Sequence, residues 1–267
     1  MTAAAGSRRP AKPRASPVIP LGIAIFLVVT WASLSEQFGI GLDLGDLIAD
    51  ITRGGGILGE LLRPNWEFVP RTAGPMLETF EMAVVASAIG CVAALPVAFL
   101  TSRVSAPNAA ALAVGRAILS VVRAIPDILY ALIFVAAVGI GTLPGIAALV
   151  MFNVGVVAKL LSETVDGVDL GPIEASRAGG ANRMQTVRWA VLPQVLPNYV
   201  AYSLYTFELN IRASTVIGIV GAGGIGNLLF TQYRFFNWSN VSVIVVELFV
   251  LVVTIEFISI GLRRRLV

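Results

Sequence analysis

Long apolar stretches recur along this chain, and short polar segments separate them. A helix of about twenty apolar residues spans the hydrocarbon core of a bilayer. The stretches lack the alternation of apolar and polar positions that a barrel strand shows, so helices are the form that satisfies every backbone group in lipid. We therefore predict an all-α membrane protein with six transmembrane helices, over Val18–Leu34, Met76–Leu100, Leu112–Ile140, Leu143–Leu161, Gln194–Val220 and Trp238–Leu262.

Basic residues predict the orientation of these helices. Six spans place both termini on one side of the membrane, and more arginines and lysines fall on that side than on the other. Because basic loops stay in the cytoplasm, we expect a multi-pass protein of the bacterial plasma (inner) membrane with both termini cytoplasmic. The first span has a longer apolar run than a signal peptide, and no small-residue cleavage site follows Trp31, so we predict an uncleaved anchor.

The segments outside the spans divide the chain further. Residues 1–17 are basic and proline-rich and are predicted to be a disordered cytoplasmic tail before the anchor at 18–34. Residues 35–75 form the longest external segment. Within it, apolar and acidic residues over 42–51 indicate an amphipathic helix, which we expect to lie on the membrane rather than to bind a partner, ending at a break over 54–56. Residues 76–267 form the main transmembrane domain.

Composition excludes several classes of function. The chain is 57% hydrophobic and 13% charged, has no histidine, and has one cysteine, Cys91, inside an apolar stretch. Intrachain disulfides, histidine-ligated zinc and a Ser-His-Asp triad are therefore excluded, and no paired aspartates on facing spans suggest an intramembrane enzyme. The net charge of +3 comes from basic flanks, without the aromatic platform or basic arm of a nucleic-acid-binding protein.

A polar island, Glu174 to Pro193, interrupts the apolar pattern. Pro172 and Glu174 suit the first turn of a short helix, and Gly179–Gly180 permit a bend. Asn182 can cap a second helix that runs through Trp189 and stops at Pro193. The island is thus predicted to be a helix, a glycine turn and a second helix between two spans.

The spacing within the island matches a known pattern. Glu-Ala-Ser, three residues, Gly, nine residues and Ala-Val-Leu-Pro place Glu174, Ala175, Ser176, Gly180, Leu192 and Pro193. This resembles the EAA loop of ABC importer permeases, with Ser176 and Ala190 in place of the usual Ala and Ile. The resemblance implies that segment 164–193 is a coupling loop that docks an ATPase. Because no stretch reads G-x-x-x-x-G-K-S/T, ATP and magnesium are expected on a partner subunit, with no cofactor in this chain.

A glycine string follows the fifth predicted span, at Gly221, Gly223, Gly224 and Gly226. It satisfies G-x-G-x-x-G, but it follows a membrane helix rather than a strand, so a dinucleotide site is not predicted. The segment Phe207–Gly226, together with Arg-Ala-Ile-Pro-Asp at 123–127, resembles phosphonate transporter permeases. We interpret the glycines as a flexible, gating loop.

Three pairs of opposite charge stand four residues apart inside the predicted spans: Arg123 with Asp127, Lys159 with Glu163, and Glu208 with Arg212. On a helix each pair shares a face and can neutralise itself, which we favour for Lys159 and Glu163. Guanidinium and hydroxyl groups can instead bind an oxyanion. The candidate translocation path therefore comprises Arg212, Ser214, Thr215, Glu208, Arg123 and Asp127.

Packing signals also appear in two of the spans. A stripe of small residues, Ala86, Gly90, Ala94 and Ala98, would let another helix approach closely, although tolerance of alanine explains it as well. Pro96 and Pro126 each remove a helix hydrogen bond and are predicted to kink their helices.

The family resemblance implies a fold and a set of partners. The fold is that of a type I ABC importer, with a methionine-permease-like core of five helices plus the N-terminal anchor. The partners are a second copy of the chain, two ATPase subunits, an external phosphonate- or phosphate-binding protein and membrane lipid, with no nucleic acid. The solute is expected to be phosphonate, phosphate or phosphite. The alternatives are a permease for another solute such as methionine and a non-transporting structural membrane subunit.

Overall fold

A computed structural model describes residues 18–35 and 54–264, and every regular element in those ranges is helical. The chain divides into two units, Met1–Ile57 and Leu58–Val267. A 3-10 turn at Trp66–Phe68 and a π turn at Val187–Val191 accompany the helices. The helices are α1 Val18–Leu34, α2 54–61, α3 Val69–Thr101, α4 Ala109–Ala124, α5 Asp127–Val138, α6 Thr142–Asp166, α7 Leu170–Ala178, α8 Arg183–Thr186, α9 Leu192–Gly218, α10 Gly224–Arg234 and α11 Trp238–Arg263.

Each predicted span has a helical counterpart, although not all of them meet the requirements of a membrane span. The helices α3, α6 and α11 are long and apolar enough to cross a bilayer, and α4 with α5 would make a fourth span if the bent pair counts as one. Helix α1 is shorter, and α9 is long enough but more polar. The multi-span helical fold is therefore confirmed, whereas the number six remains a prediction.

The third predicted span is not continuous. Its two halves, α4 and α5, meet at an angle of 86°. Pro126 lacks an N–H and forces Ile125 out of the helical region, to φ −86° and ψ 121°. The Tyr130 hydroxyl donates to the Val122 carbonyl at 3.0 Å and so satisfies a carbonyl that the break leaves open. The predicted kink at Pro126 is thus confirmed in position, but it is a break between two helices rather than a bend within one continuous helix over 112–140.

Helix α6 lies at the centre of the bundle and packs against α3, α4, α5 and α9. The small stripe of α3 is buried in this contact, since Ala86, Ala94 and Ala98 are all fully inaccessible. A Cβ atom on Gly90 would lie 2.5 Å from the Cβ of Asn153, whose side chain donates to the Ala86 carbonyl at 3.0 Å. The stripe therefore acts as a close-packing surface for α6.

The glycine string forms a tight turn between α9 and α10. Gly221, Gly223 and Gly224 have φ values of 88°, 83° and 72°, which glycine adopts most readily. A Cβ on Gly226 would overlap the Thr215 carbonyl, and residues 222–226 are buried. Close backbone packing therefore explains the glycines in this structure, and the gating role of the loop stays a prediction.

The external segment differs from its prediction where it is described. Residues 54–61 are helical, so the predicted break over the glycines at 54–56 is wrong. The Ser242 hydroxyl donates to the Leu61 carbonyl at 2.5 Å and holds the end of α2 to α11. The predicted amphipathic helix over 42–51 and the predicted tail over 1–17 lie outside the described residues.

Candidate functional site

The polar island begins with helix α7. Asp169 caps it by accepting a hydrogen bond from the Gly171 N–H at 3.0 Å, and the helix starts at Leu170. Pro172 accordingly lies in the first turn, as predicted. Glu174 lies beyond that turn, so its predicted place there is wrong, because the cap at Asp169 starts the helix earlier than Pro172 indicates.

A glycine turn connects α7 to α8, as the sequence predicts. Gly180 has φ 80°, and its N–H donates to the Arg177 carbonyl at 3.0 Å. Asn182 then caps α8 and forms a reciprocal capping box with Gln185, with bonds of 2.9 Å and 2.8 Å. This part of the predicted helix-turn-helix is confirmed.

The predicted stop at Pro193 is wrong. After α8 the chain forms the π turn, in which the Leu192 N–H bonds to the Val187 carbonyl. Leu192 and Pro193 then occupy the first turn of α9, where the missing N–H of proline costs no hydrogen bond. The island is therefore joined to a membrane helix without an intervening loop.

The island presents one buried face and one exposed face. Ile173 is 2% exposed and packs into a cluster with Val191 and Val195. Glu174 and Ala175 are exposed. Large apolar side chains of the same island are also exposed: Leu170 at 54%, Met184 at 76% and Trp189 at 70%. A segment that exposes both a carboxylate and large apolar side chains is suited to contact with another protein.

Arg183 joins the island to the α3–α4 loop, residues 102–108. Its guanidinium donates to three successive carbonyls of that loop: Ser105 at 2.9 Å, Pro107 at 3.2 Å, and Ala106. Planar guanidinium can satisfy several carbonyl groups at once. Sequence reasoning missed this contact, because the partners lie 76 to 78 residues away along the chain.

Asp166, at the end of α6, holds the other end of the α3–α4 loop. It accepts from the Ser102 hydroxyl at 2.7 Å and from the Arg103 N–H at 2.6 Å, and it forms an ion pair of 2.8 Å with Arg116. Gln194 closes the base of the island, with bonds to the Asp169 N–H and carbonyl at 3.0 Å and 3.2 Å. Residues 102–108 are therefore tied to both ends of the segment that contains α7.

The candidate path residues on α9 do not converge as predicted. Glu208 is buried and pairs with both Arg212 and Arg263, the latter at 3.3 Å. The hydroxyls of Ser214 and Thr215 both donate to the Ile211 carbonyl, at 2.9 Å and 3.2 Å. They are therefore already used within their own helix, and Arg212 is held by an acid. Arg263 was missed, because it is 55 residues from Glu208.

Of the two remaining predicted charge pairs, one forms in the structure and the other does not. Lys159 and Glu163 form the predicted ion pair, at 2.8 Å. Arg123 and Asp127 lie on either side of the α4–α5 break, so the prediction of one shared helix face is wrong. Among the described residues they form no ion pair, although both line a cavity of about 290 Å³. Asp127 instead accepts from the Ile128 N–H at 2.9 Å.

The family of binding-protein-dependent transport system inner membrane components matches residues 86–267. The chain therefore belongs to this family, as the EAA-like island indicates. Its relatives include the phosphite transport system permease protein PtxC of Stutzerimonas stutzeri, with 39% identity over 78% of this chain and 76% of that protein. The phosphate-import permease protein PhnE of Mycolicibacterium smegmatis is 43% identical to this chain. The match covers 71% of this chain and 36% of PhnE.

Solved structures support the same class. An inward-facing MetNI methionine ABC transporter contains a chain that is 28% identical, with a TM-score of 0.66, and the match covers 76% of this chain and 99% of that chain. This protein is accordingly an ABC transporter permease with the type I importer fold. The relatives are membrane transport subunits rather than enzymes.

Proposed function

We propose that this chain is the membrane subunit of an ATP-driven importer that carries phosphonate, phosphite or phosphate ions into the cytoplasm. Two copies would form the path, with both termini cytoplasmic. Two separate ATPase subunits would bind ATP and magnesium below them, and an external binding protein would deliver the ion. The substrate class rests on the relatives named for phosphite and phosphate transport.

The observation that supports this proposal most directly is the exposed face of the island. Glu174 is exposed on α7, and Met184 and Trp189 of the same island are exposed as well. The Arg188 guanidinium lies 5.2 Å from the Trp189 ring centroid, within the range of a cation–π contact. Trp and Arg are the residues that most often dominate protein interfaces. The face therefore suits a groove on an ATPase subunit.

The contacts of the island supply a route for its motion. A displacement of α7 by a closing ATPase would pull on the α3–α4 loop through Arg183 and Asp166. Because that loop connects α3 to α4, the displacement would reach the membrane helices. The π turn at Val187–Val191 would also carry it directly into α9. Movement of packed helices in this way is a general route by which a local change alters access to a site.

Glu174→Ala tests the proposal. The permease would be expressed together with an ATPase subunit and a binding protein from the same organism, and uptake of labelled phosphite, phosphate and methylphosphonate would be measured in membrane vesicles. We expect the variant to reach normal protein levels and to lose most uptake, with ATP hydrolysis no longer raised by the loaded binding protein. Glu67→Ala, at an exposed acid outside the island, is the matched control. Unchanged uptake in Glu174→Ala would contradict the docking role.

Methionine is the second candidate solute, because a solved relative transports it. Binding measurements on the partner binding protein separate the two solutes. A protein that binds methionine and none of the three phosphorus ions would replace our substrate and leave the transport class unchanged.

A further inference from the structure

Helices α4 and α6 bring charged residues onto a shared surface. Arg116 and Arg123 are seven residues apart on α4, as are Lys159 and Asp166 on α6. Seven residues make about two turns, so each pair shares a helix face and spans roughly 10 Å. The helices are antiparallel here, because Arg116 pairs with Asp166 while the Arg123 side chain packs beside Gly155, close to Lys159. The four residues therefore lie in two layers. Arg116 and Asp166 form the layer at the end of α6, and Arg123 and Lys159 form the layer about two turns further along the helices.

A cavity of about 270 Å³ opens between these helices and the end of α3. Its charged lining residues are Arg103, Arg116, Arg123, Lys159, Glu163 and Asp166. A second cavity of about 300 Å³ shares Arg123, Lys159 and Glu163 with the first and reaches Tyr205 of α9. The shared residues make the two cavities one continuous surface, with more basic than acidic groups.

Two of the four basic side chains on this surface form ion pairs, and two do not in the described part of the chain. Arg116 is matched by Asp166, and Lys159 by Glu163, each at 2.8 Å. Within the described residues, the guanidinium groups of Arg103 and Arg123 have neither a carboxylate partner nor a hydrogen bond. The hydroxyls of Ser120 and Ser162 also line the cavity, but each already donates its hydrogen to a carbonyl of its own helix, at 2.8 Å.

Arg103, in the α3–α4 loop, and Arg123, near the end of α4, are both exposed, and two guanidinium groups that line one cavity without a carboxylate partner favour the binding of an anion. The planar fork of arginine matches tetrahedral oxyanions, and lysine adds a point charge. A cavity of about 270 Å³ is large enough for a small hydrated anion. We infer that this cavity binds a phosphate-type oxyanion, with Arg123 as the main ligand, Arg103 as a second guanidinium and Lys159 shared between the anion and Glu163.

Two sources can supply such an oxyanion: the transported ion and the phosphate group of a lipid. Binding of the transported ion rests on the proposed function, whereas the ability of the site to bind an oxyanion does not. The inference also moves the anion contact away from Arg212, which forms an ion pair with Glu208 that Arg263 shares. Arg123 is the candidate path arginine with no carboxylate partner among the described residues.

The full chain in phosphatidylcholine nanodiscs provides the test. Broadening of the phosphorus NMR signals of phosphate, phosphite and methylphosphonate would report binding, and native mass spectrometry would report retained lipid, with and without added phosphatidylglycerol. We expect Arg123→Gln to weaken ion binding about tenfold or more, as loss of a charged hydrogen bond does. Arg123→Lys should give an intermediate value. Arg234→Gln removes a basic residue outside both cavities and should match the unchanged protein.

The outcomes distinguish three questions: whether the site exists, which oxyanion occupies it, and which solute the importer carries. Retained lipid that is lost in Arg123→Gln, without binding of free ions, would support the site and identify lipid phosphate as its occupant. Equal ion binding and equal lipid retention in wild type, Arg123→Gln and Arg103→Gln would overturn it. If the reconstituted importer carried methionine while Arg123→Gln still lost phosphate binding, the proposed substrate would fail and the site would remain.

Discussion

Arg183→Ala should release the α3–α4 loop from the island. The substitution removes a guanidinium that bonds to the carbonyls of Ser105, Ala106 and Pro107. A hydrogen bond from a charged group contributes about 1.5–3 kcal/mol, and we take about 2 kcal/mol for the whole partly exposed group. That value corresponds to a roughly 30-fold rise in local opening. The Ala106 N–H, bonded to the Ser102 carbonyl at 2.9 Å, is a suitable reporter.

Hydrogen–deuterium exchange of residues 102–108 in nanodiscs measures this opening. Arg177→Ala is the matched control, because it removes a basic residue from the same island that forms no hydrogen bond to the loop within the described part of the chain. Arg183→Lys should lie between the two, since an ammonium group cannot contact three carbonyls in the same planar geometry. If exchange over 102–108 were the same in Arg183→Ala and wild type, the guanidinium would not be what holds the loop. If it rose, the proposed function further predicts less uptake per ATP hydrolysed.

Two further substitutions probe the packing around these elements. Asp166→Asn should cost about 1–2 kcal/mol and lower the thermal midpoint by a few degrees, because it discharges the partner of Arg116; Glu163→Gln, whose carboxylate is 58% exposed, should shift the midpoint much less. Equal shifts would contradict the linking role of Asp166. Gly226→Ala should greatly reduce the yield of folded protein in fluorescence size-exclusion chromatography, since its Cβ would meet a backbone carbonyl, whereas Gly261→Ala has open space and should keep wild-type yield.

Local signals in the sequence predicted the local structure well. The turn at Gly180 and the cap at Asn182 depend on residues within a few positions, and both are confirmed. The membrane helices likewise follow from continuous apolar runs. The contacts of Arg183 and of Glu208 with Arg263 join residues that are far apart in the chain, and no local pattern specifies them. The sequence therefore indicated the position of the island but not the long-range contacts that fix it to the rest of the structure.

Proline and glycine gave weaker predictions, because each permits several structures. Pro126 can kink a helix or end it, and the apolar run over 112–140 concealed the 86° break. Pro193 can stop a helix or begin one, and the π turn before it decided the second outcome. The glycines near Gly223 suit both a loose loop and a tight one. Only their neighbours in space, such as Thr215 against Gly226, resolve the choice.

The break between α4 and α5 has a definite electrical polarity. Arg123 lies in the last turn of α4, where the helix end carries partial negative charge, and Asp127 lies in the first turn of α5, where the end is partly positive. Each charge thus opposes the sign of its own helix end. Exchanging the two residues would keep the composition and net charge yet set like signs together at both ends. The order of these two charges along the chain, and not only their presence, stabilises the bend.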